Sequence, residues 1–249
     1  MSPKLYIGTS GWSYAVWRQD FYKGVAPKDW LAFYAEHFKA VEINASFYRE
    51  QDPKTFQKWK DNTPKDFAFA VKGHRFITHV KRLKDPLEPV KRQRQAVLAL
   101  GSKLSAMLWQ LPRNFVKNPK RLSAFAETLK EHFKDAPHAL EFRHASWFDR
   151  ETEDLLRKFS LTNCISDAAD WPRWDAVTSN VIYLRLHGAE RTYRSEYGEP
   201  GLKAYARRIR TWLSERRDVH VYFDNTDQGA AVRDALKLKN MLGDALPGA

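Results

Sequence analysis

The sequence predicts a single α/β domain over residues 1–249, built as a parallel (β/α)8 barrel of the TIM type. Three observations predict this fold. Eight short apolar runs are spaced along the chain, helical segments separate most of them, and nearly every run ends in charged or amide side chains. Alternating strands and helices are typical of a parallel sheet, and barrels of about this length fold as one unit.

The eight apolar runs predict buried strands. They are short, rich in β-branched and aromatic residues, and mostly closed by turn-type residues. The predicted strands are residues 5–8, 41–44, 67–72, 106–111, 139–143, 161–166, 181–187 and 219–224.

Most intervals between these strands contain residues that are typical of helix starts and of the apolar face of a helix. Proline near a start and apolar residues three or four apart predict helices around 27–38, 52–59, 86–101, 118–133, 149–156, 202–213 and 230–242. The interval 167–180 is short and rich in Trp, Pro and Asp, so we expect one irregular crossover after strand 6. A doubly wound open sheet is the main alternative, but no G-x-G-x-x-G follows the first strand.

The chain carries a large net positive charge. Its 42 Lys and Arg against 30 Asp and Glu give +12, concentrated in residues 72–94 and 203–217. Such segments attract polyanions, although a solvated surface is the simpler interpretation. The beginning of the chain has no apolar signal-like region and no run reaches membrane length, so we expect a cytoplasmic protein without membrane contact. The single Cys164 lies in an apolar run and is expected to be buried.

Strand parity predicts which run-end side chains share a face, because residues two apart on a strand point the same way. The pairs are Glu42 with Asn44, Lys72 with His74, Glu141 with Arg143, and Arg185 with His187. In a barrel the carboxyl ends of the strands form the functional face. These residues are therefore expected to build one site.

Several motifs along the chain are similar to those of a known family. They are GTSGWSY from Gly8, VEINASFY from Val41, FAVK from Phe69, ITH from Ile77, QLP from Gln110, EFR from Glu141, SW from Ser146, RLHG from Arg185 and YFDN from Tyr222. Together they cover nearly the whole chain and resemble the YecE-like family of unknown function, number seventy-two in the series of domains of unknown function. The resemblance implies a TIM-like barrel and no settled activity.

The residue types at the run ends indicate an anionic ligand. Lys72, Arg143, Arg185 and His187 are expected to form a cationic cluster for a phosphate or carboxylate. The candidate catalytic residues are Glu42, Glu141, His187 and Asp224. The further candidate ligand-binding residues are Trp12, Asn44, Tyr48, His74, Gln110, Trp147, Tyr193, Tyr197 and Asn225, whose aromatic members are suited to stacking on a base or sugar.

No cofactor is indicated with certainty, and a divalent metal is an open alternative. Its candidate ligands are Glu42, Glu141, Asp167 and Asp224, although no compact metal-binding motif accompanies them. A set of internal ion pairs, such as Glu141 with Arg185, is the purely structural alternative.

Three functions are compatible with these residues. The first is an enzyme, of hydrolase or lyase type, acting on a phosphate-bearing ligand such as a nucleotide or nucleic acid, with Glu141 or Asp224 as general base. The second is a nucleic-acid-binding protein without catalysis, and the third is a carbohydrate-active barrel with two carboxylates. The expected partner is accordingly an anionic small molecule or a nucleic acid.

Overall fold

The structure is a computed structural model, and it describes residues 2–243. All eight predicted strands are confirmed, and their ends lie within two residues of the predicted ones. They are β1 (Leu5–Thr9), β2 (Ala40–Ile43), β3 (Ala68–Lys72), β4 (Leu104–Gln110), β5 (His138–Glu141), β6 (Thr162–Asp167), β7 (Val181–Leu186) and β8 (Asp218–Phe223).

The eight strands form a sheet in the order β1-β8-β7-β6-β5-β4-β3-β2. Pairing is parallel, for example between β7 and β8 and between β4 and β5. A parallel bridge between Ser10 and Glu42 joins the first and last strands of this order. The fold is therefore the predicted α/β TIM-like barrel.

Helices follow most strands. They are α1 (Trp30–His37), α2 (Ala45–Tyr48), α3 (Pro53–Asp61), α4 (Leu87–Val97), α5 (Pro119–His132), α6 (Arg150–Lys158), α7 (Gly198–Ser214) and α8 (Ala230–Leu242). Side chains cap three of them, since Asp52, Asn118 and Asp149 each accept a backbone N–H of the first turn. Between β6 and β7 the described chain has no helix, which confirms the irregular crossover.

Several helical segments differ from the sequence prediction. Helix α7 begins at Gly198, four residues before the predicted start, and α2 is a single short turn that periodicity cannot reveal. A third segment, Phe76–Val80, is a turn of π-helix in which the Lys81 N–H donates to the Phe76 carbonyl at 2.8 Å. Such a turn holds one residue more than an α-helical turn.

The chain divides into two compact units. The first unit is built from residues up to 42, 165–173 and residues from 180 onward, and the second from 43–164 and 174–179. Because the chain divides into two units, the expectation of a single domain over residues 1–249 stays a prediction. The first unit contains β1, β7, β8, α1, α7 and α8, and the second contains β3, β4, β5 and helices α2 to α6.

The strands are buried on both faces, as expected for a parallel sheet covered by helices. In the second unit every residue of β3 is buried, and Trp109 of β4 lies 5.2 Å, ring to ring, from Phe125 of α5. Cys164 is a buried free thiol, as predicted. Within residues 2–243, each helix falls short of the length or the apolar character that a membrane span requires.

Gly8 of β1 is required by close packing in the first unit. A Cβ atom at this position would lie 2.0 Å from the Ala40 carbonyl oxygen. We expect Gly8→Ala to lower the free energy of unfolding by about 1–3 kcal/mol, because backbone cannot move aside as a side chain can. Urea unfolding measures this change.

Gly201 in α7 supplies the matched control for this glycine. A Cβ atom there would meet its nearest neighbour at 3.6 Å, which is ordinary contact. Gly201→Ala should therefore be neutral or stabilising by up to about 1 kcal/mol. Equal urea midpoints for Gly8→Ala and the wild type would contradict the packing argument.

Candidate functional site

Each unit carries a cluster of charged side chains at the carboxyl ends of its strands. In the first unit, Arg185 of β7 is the centre of what we call the arginine cluster. Its members are Ser10, Glu42, Tyr183, Arg185, His187 and Asp224. In the second unit, the lysine cluster consists of Lys72, His79, Gln110, Glu141 and Arg143.

Arg185 is fully buried and is paired with two carboxylates. Its Nη2 atom lies 2.8 Å from Glu42 Oε1 and 2.9 Å from Asp224 Oδ2. The Nε atom also donates to both Glu42 oxygens at 3.1 Å, and Nη2 donates to Ser10 Oγ at 2.8 Å. A planar guanidinium with five donors suits this multidentate pairing, which a lysine could not reproduce.

Glu42 of β2 is fully buried and accepts hydrogen bonds from three side chains. Besides Arg185, Ser10 Oγ donates to its Oε1 at 2.5 Å and the Tyr183 hydroxyl donates to its Oε2 at 2.7 Å. Burial, and then the negative charge of Glu42, raise the pKa of Tyr183 well above its usual value, so the phenol keeps its proton. The buried carboxylate is thus compensated by a cation and by hydroxyl donors.

His187 has a defined tautomer within this cluster. Arg185 Nη1 lies 3.3 Å from His187 Nε2, and because arginine only donates, Nε2 is the acceptor. The proton of a neutral imidazole then lies on Nδ1, which is 3.0 Å from Asp224 Oδ2. Asp224, with 13% of its side chain exposed, is the member of this charged pair network that solvent reaches.

The lysine cluster is assembled by three neighbouring strands. Lys72 is the last residue of β3, Gln110 ends β4 beside Glu141 of β5, and Arg143 follows two residues later. Lys72 Nζ lies 4.2 Å from the centre of the Phe47 ring, a cation–π distance. All four polar residues are buried, although this is the edge of the sheet where a ligand would enter.

Within the lysine cluster, Arg143 and Glu141 form a tight pair. Arg143 Nε donates to Glu141 Oε1 at 2.6 Å, and the carboxylate is fully buried. The pair confirms the predicted shared face of these two residues. It holds the guanidinium in one orientation.

The pKa of His79, on the π-helical turn, depends on burial and on the charges of the lysine cluster. Partial burial is the main cause that lowers its pKa to about 4, and the nearby cations Lys72, Arg75 and Arg143 lower it further. The opposing charge of Glu141 only partly offsets these cations. His79 is therefore neutral at pH 7, and the potential that acts on it is positive.

The predicted aromatic ligand-binding residues are placed very differently from one another. Trp147 is fully buried and donates through Nε1 to the Phe115 carbonyl at 2.7 Å, as a core residue does. Tyr197 is also buried and its hydroxyl accepts the Gly188 N–H at 3.1 Å. Tyr48 and Tyr193 are exposed, and Trp12 is half-buried. Their roles in binding stay predictions.

Three predicted polar ligand residues lie outside both clusters. Asn44 is half-buried at the start of α2. His74 lines a groove of about 280 Å³ in the second unit together with Arg92 and Gln93. Asn225 is fully buried and donates to the Ser195 carbonyl at 2.9 Å. Their predicted binding roles likewise await a test.

The carboxylates considered as metal ligands are engaged with protein donors. Asp167 accepts from the Tyr205 hydroxyl, and it lies 3.7 Å from Arg173. Glu42, Glu141 and Asp224 pair with arginines as described above. Among residues 2–243 no three His, Cys, Asp or Glu side chains are grouped as a metal site requires.

Three members of these clusters, Ser10, Tyr183 and His79, are not among the predicted site residues. His79 and Ser10 stand in motifs that were noted, but neither lies on a predicted strand face. Trp171, whose ring is 4.7 Å from that of His187, lies in the irregular crossover. Residues of irregular segments have no periodicity, so only the local Thr78-His79 polarity after strand 3 was a usable signal.

Comparison with known proteins gives one family and several relatives. The model of the family described as "Protein of unknown function DUF72" matches residues 6–248. The UPF0759 protein YunF of Bacillus subtilis is 26% identical over 96% of this chain and 94% of its own length. The UPF0759 protein YecE of Escherichia coli is 28% identical over 60% of this chain and 52% of its own length.

A solved structure agrees with the fold. The crystal structure of a DUF72 family protein from Thermotoga maritima has 31% identity and a TM-score of 0.83. The similarity covers 96% of this chain and 99% of that one. It supports the TIM-like barrel over nearly the whole chain.

Arg185 is expected to be essential for stability. Arg185→Leu would leave Glu42 buried without its cation, and we expect a loss of about 3–5 kcal/mol in the free energy of unfolding. Replacing Glu42 with Gln in the same protein should recover part of this loss. Urea unfolding of the single and double variants measures both effects.

An exposed arginine of the same unit is the control. Arg194, 67% exposed and 3.5 Å from Asp227, should cost less than about 1 kcal/mol when changed to Leu. If Arg185→Leu were as mild as Arg194→Leu, the buried network would not support the fold.

Proposed function

The chain belongs to the DUF72 family of unknown function, and from its own residues we propose that it is an enzyme of hydrolase or lyase type that acts on a phosphate-bearing ligand. The lysine cluster is the proposed binding site. The observation that supports this most is that two buried cations, Lys72 and Arg143, share a cluster with a single carboxylate, Glu141. The pKa of His79, which is lowered mainly by burial and further by Lys72, Arg75 and Arg143, agrees with it. A positive potential at a partly desolvated strand edge favours an anion.

The charge count of the lysine cluster supports the same conclusion. Lys72 and Arg143 contribute two positive charges against the single carboxylate of Glu141, and His79 is neutral at pH 7. These charges sum to one net positive charge, which favours an anionic ligand. In the arginine cluster the two carboxylates of Glu42 and Asp224 outnumber Arg185, which makes it the less suitable place for a phosphate.

We assign different roles to the members of the lysine cluster. Lys72 and Arg143 bind the phosphate and stabilise negative charge that develops on it. Glu141 is a positioning residue, because it is fully buried and fixes the Arg143 guanidinium at 2.6 Å. His79 is the proton acceptor, since a bound anion raises its pKa towards neutrality.

A nucleotide or nucleic acid is the phosphate source that the surrounding surface favours. Arg75 and Lys84, from the basic segment 72–94, are exposed. Phosphates that follow one another along a polynucleotide would meet these cations in addition to the cluster. The same cations make non-catalytic nucleic-acid binding the second candidate.

The cluster cations should determine anion affinity. We expect Lys72→Gln and Arg143→Gln each to weaken binding of inorganic pyrophosphate by about ten-fold to 100-fold, because a hydrogen bond to a charged group contributes about 1.5–3 kcal/mol. Titration calorimetry measures this binding. Labelled single-stranded RNA, titrated at several salt concentrations, tests the longer ligand.

Lys65→Gln is the matched control. Lys65 is exposed and precedes β3, whereas Lys72 is the last residue of β3, so the two lysines lie at opposite ends of this strand. The Lys65→Gln variant should bind pyrophosphate as tightly as the wild type does. Equal weakening by Lys65→Gln, or no binding by the wild type, would refute the assigned site. Turnover of nucleotides or RNA that is lost in His79→Gln, with affinity retained, identifies an enzyme, and binding without any turnover identifies the second candidate.

The pKa of His79 should respond to the ligand. We expect it to rise by one unit or more from about 4 when pyrophosphate binds, because the anion offsets Lys72, Arg75 and Arg143. Binding then takes up a proton between pH 4 and the raised pKa, so affinity increases as the pH falls through this range. Histidine-ring NMR titration measures both pKa values.

His138 is the internal reference for this titration. Its pKa is also lowered to about 4, but burial is the cause that lowers it. It should not shift when pyrophosphate is added. Parallel shifts of both histidines would indicate a general conformational change, and no shift of His79 would contradict its place beside the ligand.

A further inference from the structure

The segment that precedes α7 is held to α8 by a buried polar pair in the first unit. Asp234 of α8 and Asn225, just after β8, are both fully buried. Asn225 Nδ2 donates to Asp234 Oδ2 at 2.9 Å and also to the Ser195 carbonyl at 2.9 Å. The backbone N–H of Tyr197 donates to the same Asp234 oxygen at 3.0 Å. The pair thus fastens residues 195–197 to α8.

One oxygen of each partner has no hydrogen bond. Asn225 Oδ1 and Asp234 Oδ1 are both buried and unpartnered within the part of the chain that the structure describes. Both N–H groups of the amide are already used, so Asn225 has no donor left. No ion pair joins Asp234 to a cation among residues 2–243. Two orphaned acceptors and an unpaired buried charge would be costly.

A single proton removes all three costs. We propose that Asp234 is protonated in the folded protein and that its Oδ1–H donates to Asn225 Oδ1. The acid and the amide then form a cyclic pair with two hydrogen bonds, Nδ2–H to Oδ2 and Oδ1–H to Oδ1. Both orphaned oxygens gain a partner, and no buried charge remains.

The surroundings of Asp234 favour the neutral acid. Burial is the largest cause that raises its pKa, and the charge of Glu196 acts in the same direction. The Asn225 and Tyr197 hydrogen bonds and the charge of Lys237 act against it. Lys237 and Arg233 of α8 both pair with Glu196, at 3.1 and 2.7 Å, which weakens their effect on Asp234.

The shared proton makes the fastening of residues 195–197 dependent on pH. Because the folded pKa lies above the unfolded value, the stabilisation is complete below about pH 4 and declines as the pH rises through the folded pKa. Ionisation would set a carboxylate oxygen against an amide oxygen. The loop that the pair fastens also carries Tyr193, whose ring lies 5.6 Å from that of His187. The pair is therefore a pH-sensitive clasp on a loop that contacts the arginine cluster.

Asp234→Asn tests the proposal because an amide has a permanent donor in place of the proton. Its Nδ2–H can donate to Asn225 Oδ1 while its Oδ1 accepts from Asn225 and Tyr197. We expect Asp234→Asn to be as stable to urea as the wild type or more stable, whereas Asp234→Ala loses stability. In difference infrared spectra recorded as the pH is raised from about 4, the wild type should show a protonated carboxylic acid that Asp234→Asn lacks.

Hydrogen exchange of the Tyr197 amide measures the clasp directly. Between about pH 4 and the folded pKa, opening in the wild type should increase by up to ten-fold per pH unit beyond the intrinsic exchange rate, because it releases one proton. In Asp234→Asn this excess should vanish. If Asp234→Asn is as unstable as Asp234→Ala and the infrared signal is absent, Asp234 is ionised. Stability that rises with Na⁺ or K⁺ would identify a bound cation instead, and either result overturns the proposal.

Discussion

The first unit depends on the placement of one guanidinium without solvent contact. Arg185 reaches Glu42 of β2, Asp224 after β8 and Ser10 after β1, so one side chain of β7 contacts residues from three other strand ends. A buried charge is costly unless its geometry is nearly ideal, and this requirement restricts each of those strand ends to one position. The bridge between Ser10 and Glu42, which joins the ends of the strand order, lies within the same network. The pairing register of β1 and β2 therefore depends on the same buried residues that surround Arg185.

The two charged clusters illustrate two uses of similar residues. In the arginine cluster the charges of Arg185, Glu42 and Asp224 pair with one another, and this pairing supports the fold. In the lysine cluster two cations, Lys72 and Arg143, accompany one carboxylate, and after burial these cations are a further cause that lowers the pKa of His79. Unequal numbers of cations and carboxylates at a desolvated strand edge are what a charged ligand corrects. Local charge balance, more than residue type, separates a structural cluster from a candidate binding site.

The sequence predicts the strands well and the contacts less well, for physical reasons. Strand parity predicts that Glu141 and Arg143 share a face, and they form an ion pair. Parity carries no information on which distant strand supplies a partner, so the pairing of Arg185 with Glu42 and Asp224 could not be predicted. The complete burial of Trp147 is likewise not visible in the sequence. Short irregular segments, such as the one with His79, are set by tertiary packing and leave no periodic signal.

The π-helical turn at Phe76–Val80 has a consequence for how the chain tolerates change in length. Its additional residue rotates everything after it by about 100° relative to an α-helical turn. A single deletion anywhere in this turn would relax it to the commoner helix and carry the His79 ring away from the Lys72 side of the turn. Most surface loops accept the loss of one residue with little effect. Here the number of residues is itself part of the site, and homologues that keep the lysine cluster are expected to keep the length of this segment even where its side chains differ.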